Sequence, residues 1–355
     1  MEYGHGGDIY TYKGMLDFSV NINPFGPSEQ VIRAVRDSAG LAGNYPDSSC
    51  RRLRQKLAEK KALPREFFIA GNGAADLFFS LALAEKPERA LIPVPAFSEY
   101  ARALHTVGCE IREYPLKRED DFRLTEDFIN ALERDIDMVF LCDPSNPAGQ
   151  TTDRELIERI AEKCQKYGIR LVVDECFIEF LSDPEEYTVE QLTRQYPCLF
   201  VAQAFTKMHA IPGLRLGYGI TSDKELLEKI QESRQPWSVS TPAQAAGTAA
   251  LDEEDRVKMT RDYVRNERMR MEKALGEIGV QYIPSEANFI LFSSPLDLFS
   301  LLKERGILIR DCSNYSGLGK GWYRIAVKRQ EENNRILREI RSIYQMWDDS
   351  RLYRR

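Results

Sequence analysis

Apolar and polar positions follow two rhythms along this chain, and their order predicts the fold class. Three short apolar, β-branched runs read as buried strands: Asp137-Met-Val-Phe-Leu-Cys142, Ile169-Arg-Leu-Val-Val-Asp174 and Cys198-Leu-Phe-Val-Ala-Gln203. Their starts lie about 30 residues apart, the length of a strand–helix–strand unit. Between the first two, apolar residues at 156, 157, 160, 161 and 164 mark one face of a helix. Thr152 is its expected N-cap, with Glu155 three residues on, and Gly168 its stop. This alternation predicts an α/β fold with a mostly parallel sheet flanked by helices.

After Thr241-Pro-Ala-Gln the rhythm changes. A long amphipathic helix is expected from Glu254 to Leu275, then short strands near 288–292, 306–310 and 322–327, and a last helix over 331–346. The expected organisation is an arm (1–28), a large domain (29–243) and a smaller C-terminal α+β domain (244–355). With no Gly/Ser-rich linker and no internal repeat, a firm interface between the domains is expected.

Composition narrows the function class. The 355 residues are 43% hydrophobic and 29% charged without low-complexity tracts, which excludes disordered and collagen-like chains. Forty-nine basic against 55 acidic residues leave a net charge of −6 and a pI near 5.5, with no basic stripe to suit nucleic acid or an anionic membrane. The start, MEYGHGGDIY, lacks a leader pattern, and no apolar run approaches the ~18 residues of a membrane span, so a cytoplasmic protein is expected. Seven scattered cysteines, three histidines and no CxxC or HExxH predict reduced structural thiols and no metal.

In open α/β sheets ligands sit beyond the carboxyl ends of the strands. At such ends lie Asn72-Gly-Ala-Ala-Asp76, Pro95-Ala-Phe97, Asp143-Pro-Ser-Asn-Pro-Ala-Gly149, Asp174-Glu175 and Thr206-Lys207, the last followed by Pro212-Gly-Leu-Arg-Leu-Gly217. Gly71-Asn-Gly-Ala-Ala-Asp opens a helix after an apolar segment, which exposes backbone N–H groups to an anion. A lysine beside apolar walls, as Lys207 would be, has a lowered pKa and becomes an amine nucleophile. Taken singly, each feature also fits an ordinary turn or a surface charge.

Together these residues resemble fold-type I pyridoxal-phosphate enzymes of the class I/II aminotransferase family, over nearly the whole chain. The resemblance implies that Lys207 forms the Schiff base with pyridoxal 5'-phosphate and that Asp174 pairs with the pyridine nitrogen, so that the ring accepts electrons from a bond at Cα. It implies Asn146 on the ring's phenolic oxygen and Phe97 stacked on the ring. It gives the phosphate to Thr206, Arg215 and the backbone of Gly73, Ala74 and Ala75. Tyr45 would reach across a homodimer to the partner's cofactor. Two positions depart from the pattern: Phe177 stands where a tyrosine is usual, and Ala204 where a serine is common.

Within that family His5-Gly-Gly7 and Phe18-Ser-Val-Asn-Ile-Asn-Pro-Phe-Gly26 are similar to the threonine-phosphate decarboxylases of cobalamin synthesis; the histidinol-phosphate aminotransferases are the next resemblance. The implied reaction is decarboxylation of L-threonine O-3-phosphate to (R)-1-amino-2-propanol phosphate, with serine phosphate one methyl smaller. The alternative is transamination of histidinol phosphate or an aromatic amino acid with 2-oxoglutarate. Arg324 would take one substrate anion, and Arg310 and His5 the other with help from Asn23. Gly6 and Gly7 would let the arm fold over the ligand. A regulatory module without catalysis does not fit the combined Asp174, Lys207 and Arg215 set.

Overall fold

Strands whose side chains alternate between two buried faces build the main sheet. The computed structural model describes residues 5–352 and places seven strands in the order Phe68–Gly71, Gly217–Ile220, Leu199–Ala204, Arg170–Asp174, Met138–Cys142, Arg89–Val94, Glu110–Pro115. All neighbours pair parallel except Gly217–Ile220, which runs antiparallel to both its neighbours. Leu171, Val173, Leu199 and Val201 face one core, whereas Val172, Phe200 and Ala202 face another. Burial on both faces explains why these strands read as continuous apolar runs rather than half-polar ones.

The three strands read from the sequence form within a residue or so of their expected bounds. Arg89–Val94 and Glu110–Pro115 extend the sheet beyond them; the second lies on an edge with few buried residues, which weakens its apolar signal. Helix Arg154–Tyr167 ends on Gly168, in a left-handed conformation as expected. The helix starts one residue later than expected, so Asp153 rather than Thr152 stands at the N-cap, without a side-chain cap bond, while the Thr152 backbone N–H is held by the Asp143 carboxylate at 2.8 Å.

The C-terminal part holds a four-stranded antiparallel sheet in the order Arg310–Asp311, Trp322–Ala326, Phe289–Ser293, Gln281–Ile283, covered by helices Glu254–Ile278 and Gln330–Leu352. The expected strand over 306–310 is split. Ile307–Leu308 pairs in parallel with Leu16–Asp17, while Arg310–Asp311 turns to join Trp322–Ala326. The N-terminal segment is thereby stitched to the smaller sheet, with Phe18 N–H donating to Leu308 O (2.7 Å) and Ala326 N–H to Phe18 O (3.0 Å). No helix among the described residues is long and apolar enough to cross a membrane.

Candidate active site

Five strands of the large sheet end on the same edge, and each delivers a residue picked out from the sequence. Gly73 follows Phe68–Gly71, Phe97 follows Arg89–Val94, Asn146 follows Met138–Cys142, Asp174 closes its own strand, and Thr206 and Lys207 follow Leu199–Ala204. Arg215 enters this edge at the start of the antiparallel strand.

The anion cradle is built by close approach. Gly73 (φ +87°) caps helix Ala74–Glu85, and a Cβ there would lie 2.5 Å from the Arg215 guanidinium. A side chain on Gly217 would strike the Ala74 backbone nitrogen at 2.5 Å. Both glycines are required for the arginine and the helix N-terminus to share one spot, where the first-turn N–H groups of Ala74 and Ala75 lack intrahelical partners. Thr206 is buried next to Lys207.

Asp174 is buried and raised above the usual carboxylate range by desolvation, opposed by its bonds and by Lys207. It accepts from the Cys176 backbone N–H (3.0 Å) and from the Tyr100 hydroxyl (2.6 Å). Burial, then the neighbouring Asp174, raises the Tyr100 hydroxyl well above its ordinary range, so it remains a donor. Sequence reasoning passed over Tyr100. Its signal was the spacing of one helical turn after Phe97, which puts both rings on one side of helix Ser98–His105 and in edge contact at 5.7 Å.

Lys207 lies 5.5 Å from the Phe177 ring centroid. Desolvation, then the charge of Arg324, lowers its amine from 10.5 to about 8, with Arg215 adding to the fall and Cys176 and Asp174 resisting it. Phe177 itself packs edge-on against Phe289 (5.1 Å), an apolar contact a tyrosine hydroxyl would not improve. Cys142 and Cys176, free thiols, flank Asp174, and burial keeps both protonated.

Arg324 and Arg310 sit directly opposite each other across an antiparallel strand pair. Arg324 is buried; it donates to the Asn146 side-chain oxygen, to Ser19 O (3.2 Å) and, at 3.4 Å, toward the Tyr315 hydroxyl, while its Nε has no partner. Arg310 donates to Asn314 (2.8 Å). Neither arginine, nor Lys207 or Arg215, forms an ion pair with a carboxylate among the described residues. Like charges placed opposite one another are destabilising, and Arg324, buried and held only by neutral acceptors, lacks a compensating charge, which makes this cluster a candidate site for an external anion.

Gly6 and Gly7 lie tight on the segment Ser19–Val20, where a Cβ on Gly6 would fall 2.4 Å from Ser19 O, and Gly7 N–H donates to the Ser19 hydroxyl (2.8 Å). His5 reaches the Phe97 ring (6.0 Å between centroids), but its Nε2 bonds Glu99 at 2.9 Å rather than facing Arg310. Asn23 is committed elsewhere: its amide donates to Met208 O (2.7 Å) and Thr260 (3.1 Å), its oxygen accepts from Phe25 N–H (2.9 Å), and its own N–H holds Lys207 O (3.0 Å). Its place is as a clamp on the Lys207 turn. Asn21, two residues earlier, keeps a buried side-chain oxygen without a partner. Two asparagines one pleat apart look alike in sequence, and packing alone tells them apart. Tyr45 is exposed and stacks on Trp237 at 4.5 Å.

Behind the site, Glu175 points to the opposite face from Asp174. It accepts from Val189 N–H (2.7 Å), Thr188 (2.8 Å) and Gln203 (2.7 Å), and Gln203 also reaches Glu190, which pairs with Lys61. Burial, then repulsion from Glu190, lifts Glu175 from 4.5 to about 7. The folded protein therefore binds the extra proton between those values. Its contribution to stability is complete below 4.5 and is lost as pH rises through about 7. Urea midpoints are expected to fall between about pH 5 and pH 8, and Glu175→Gln to flatten that fall.

The family model for aminotransferase class I and II matches residues 13–340. The chain belongs to that family. Class I/II aminotransferase relatives include the threonine-phosphate decarboxylase of Salmonella typhimurium, 38% identical over 96% of both chains. A histidinol-phosphate aminotransferase of Symbiobacterium thermophilum is 33% identical over 94% of this chain and 93% of its own. Among solved structures, the histidinol-phosphate aminotransferase of Clostridium acetobutylicum superposes with a TM-score of 0.87 at 29% identity, covering 93% of this chain and 99% of the other. The fold is that of fold-type I pyridoxal-phosphate enzymes, and the family's cofactor is pyridoxal 5'-phosphate. This class I/II chain fits it on its own geometry: a glycine-built anion cradle, a buried acid and a lysine whose amine is depressed to about 8.

Proposed function

We propose that this enzyme decarboxylates L-threonine O-3-phosphate to (R)-1-amino-2-propanol phosphate, a reaction suited to cobalamin synthesis. The observation that carries the proposal is the pair Arg310 and Arg324, held opposite each other with no carboxylate partner among the described residues, beside a lysine of lowered pKa. A substrate with a carboxylate and a phosphate on a three-carbon frame supplies two anions to two forked cations. The similarity to the Salmonella decarboxylase over the full length supports the same reading.

Pyridoxal phosphate, when bound, would supply an electron sink for a bond broken at Cα. In the proposed assignment the protein does the rest. Gly73, Ala74, Ala75, Thr206 and Arg215 would hold the cofactor phosphate, Phe97 would cover the ring and Asn146 would meet its phenolic oxygen. Asp174, oriented by Tyr100, keeps the ring nitrogen protonated. Arg310 and Arg324 would fix the substrate anions so that the Cα–carboxylate bond is the one presented, and the Lys207 Nζ ammonium would deliver a proton to the carbon that lost CO2. With Phe177 at the tyrosine position, no hydroxyl there would join the Asn146 amide in donating to the phenolic oxygen. Tyr45, solvent-facing in one chain, is proposed to complete the phosphate site of a second copy in a homodimer.

Transamination of histidinol phosphate is the competing reading, and the 0.87 superposition on such an enzyme favours it. One assay separates them. Purified holoenzyme given threonine phosphate is expected to release CO2 stoichiometrically with amine product. Absence of CO2, together with glutamate formed from histidinol phosphate and 2-oxoglutarate, would overturn the decarboxylase.

A further inference from the structure

Between Arg310 and Arg324 stands a residue that neither the motifs nor the relatives assign. The Arg310 guanidinium lies 5.3 Å from the Tyr315 ring centroid, and the Tyr315 hydroxyl is 3.4 Å from Arg324 Nη1. One side chain thus touches both cations of the proposed substrate site. Its base is fixed. The ring packs against the small apolar cluster that includes Phe122, Ala148, Leu291 and Trp322, and Ala148 belongs to the same loop as Asn146. Its backbone closes a turn onto Cys312 O at 3.1 Å. Nearby Gly317 (φ +82°) brings this loop within 3.3 Å of the backbone of Val94 and Pro95, just before Phe97, counted from where a Cβ would sit.

We propose that Tyr315 is a specificity-determining residue: a wedge that fixes the separation and aim of Arg310 and Arg324, so that the site selects amino acids carrying two anionic groups over those carrying one. The inference rests on the assignment of both arginines to substrate, and it adds the element that sets their spacing. Two arginines placed opposite each other across a strand pair repel; Arg324 is buried and also held by Asn146 and Ser19 O, whereas the partly exposed Arg310 is the one free to swing toward water. The aromatic face holds one by cation–π contact and the hydroxyl restrains the other. A ligand with a single anion gains from one arginine whatever the spacing, whereas a doubly anionic ligand gains from both when they are held apart at its own span.

The test uses holoenzyme and reads binding from the initial change in the cofactor's absorption band, for L-threonine and for L-threonine O-3-phosphate. The quantity is the ratio of the two dissociation constants. Tyr315→Leu is expected to weaken threonine phosphate about ten-fold while threonine changes by less than about two-fold, with the starting band unchanged. Tyr315→Phe keeps the ring under Arg310 and is expected to lose about three-fold in the same ratio. Equal weakening of both ligands, or none, would overturn the wedge. If Tyr315→Leu does not fold, Tyr315→Phe decides alone, an unchanged ratio counting against the proposal. A wild-type enzyme that binds threonine phosphate preferentially yet releases no CO2 sinks the decarboxylase and leaves this test intact; one without the preference sinks the wedge.

Discussion

Lys207→Ala is expected to lower turnover by at least about 10^2- to 10^4-fold, the range lost when a positioned proton-transfer group is removed, with loss of the covalent attachment on top. Lys207 is the amine at the edge where five strand ends meet, beside Asp174 and between Arg324 and Arg215. Its amine is neutral above about pH 8, where an ordinary lysine is still charged up to 10.5. Capture of the cofactor's carbonyl by apoprotein is therefore expected to speed up through a midpoint near 8. Borohydride reduction supplies the check. Wild-type protein should lose a visible absorbance band on reduction and retain the label, and a reducible band persisting in Lys207→Ala would show that another amine holds the cofactor.

Asp174→Asn is expected to reduce kcat on the order of 10^2- to 10^3-fold, comparable to losing a preorganised electrostatic group in a dry site, with little change in fold. The carboxylate is buried, and its hydrogen bonds come from Tyr100 and the Cys176 backbone, which leaves its charge for a cationic partner such as a protonated ring nitrogen. An amide of the same shape keeps the space and removes the charge. Tyr100→Phe leaves the charge but loosens its aim, so a smaller loss of about ten-fold is expected, in line with one hydrogen bond to a charged group. Steady-state kinetics on both variants decides the order. A Tyr100→Phe defect as large as that of Asp174→Asn would make the hydroxyl, rather than the carboxylate charge, the dominant group.

Much of the site was legible because the motifs are local. Asp174, Lys207, Arg215, Asn146 and Gly73 each sit within a few residues of a strand end, and a strand end can be read from an apolar run. The helix stop at Gly168 was legible for the same reason. Residues whose roles depend on what lies across the fold were harder. Thr152 looked like an N-cap, yet the buried Asp143 carboxylate, nine residues away, takes its N–H. Asn23 looked like a ligand for the substrate, but Met208 and Thr260, 185 and 237 positions away in sequence, take both its donors.

By itself the sequence determined the α/β class and the chemical groups offered at each strand end, which follow from side-chain periodicity and short spacings, and it pointed to the family through the resemblance of its motifs. The tertiary structure decided which of those groups face one another. It set Tyr100 on Asp174, turned His5 to Glu99, freed the Asn21 oxygen while binding Asn23, and placed Tyr315 between two arginines. Those contacts join residues tens to hundreds of positions apart, or depend on strand register and side-chain direction, and both are fixed when the two cores and the N-terminal strand pack together.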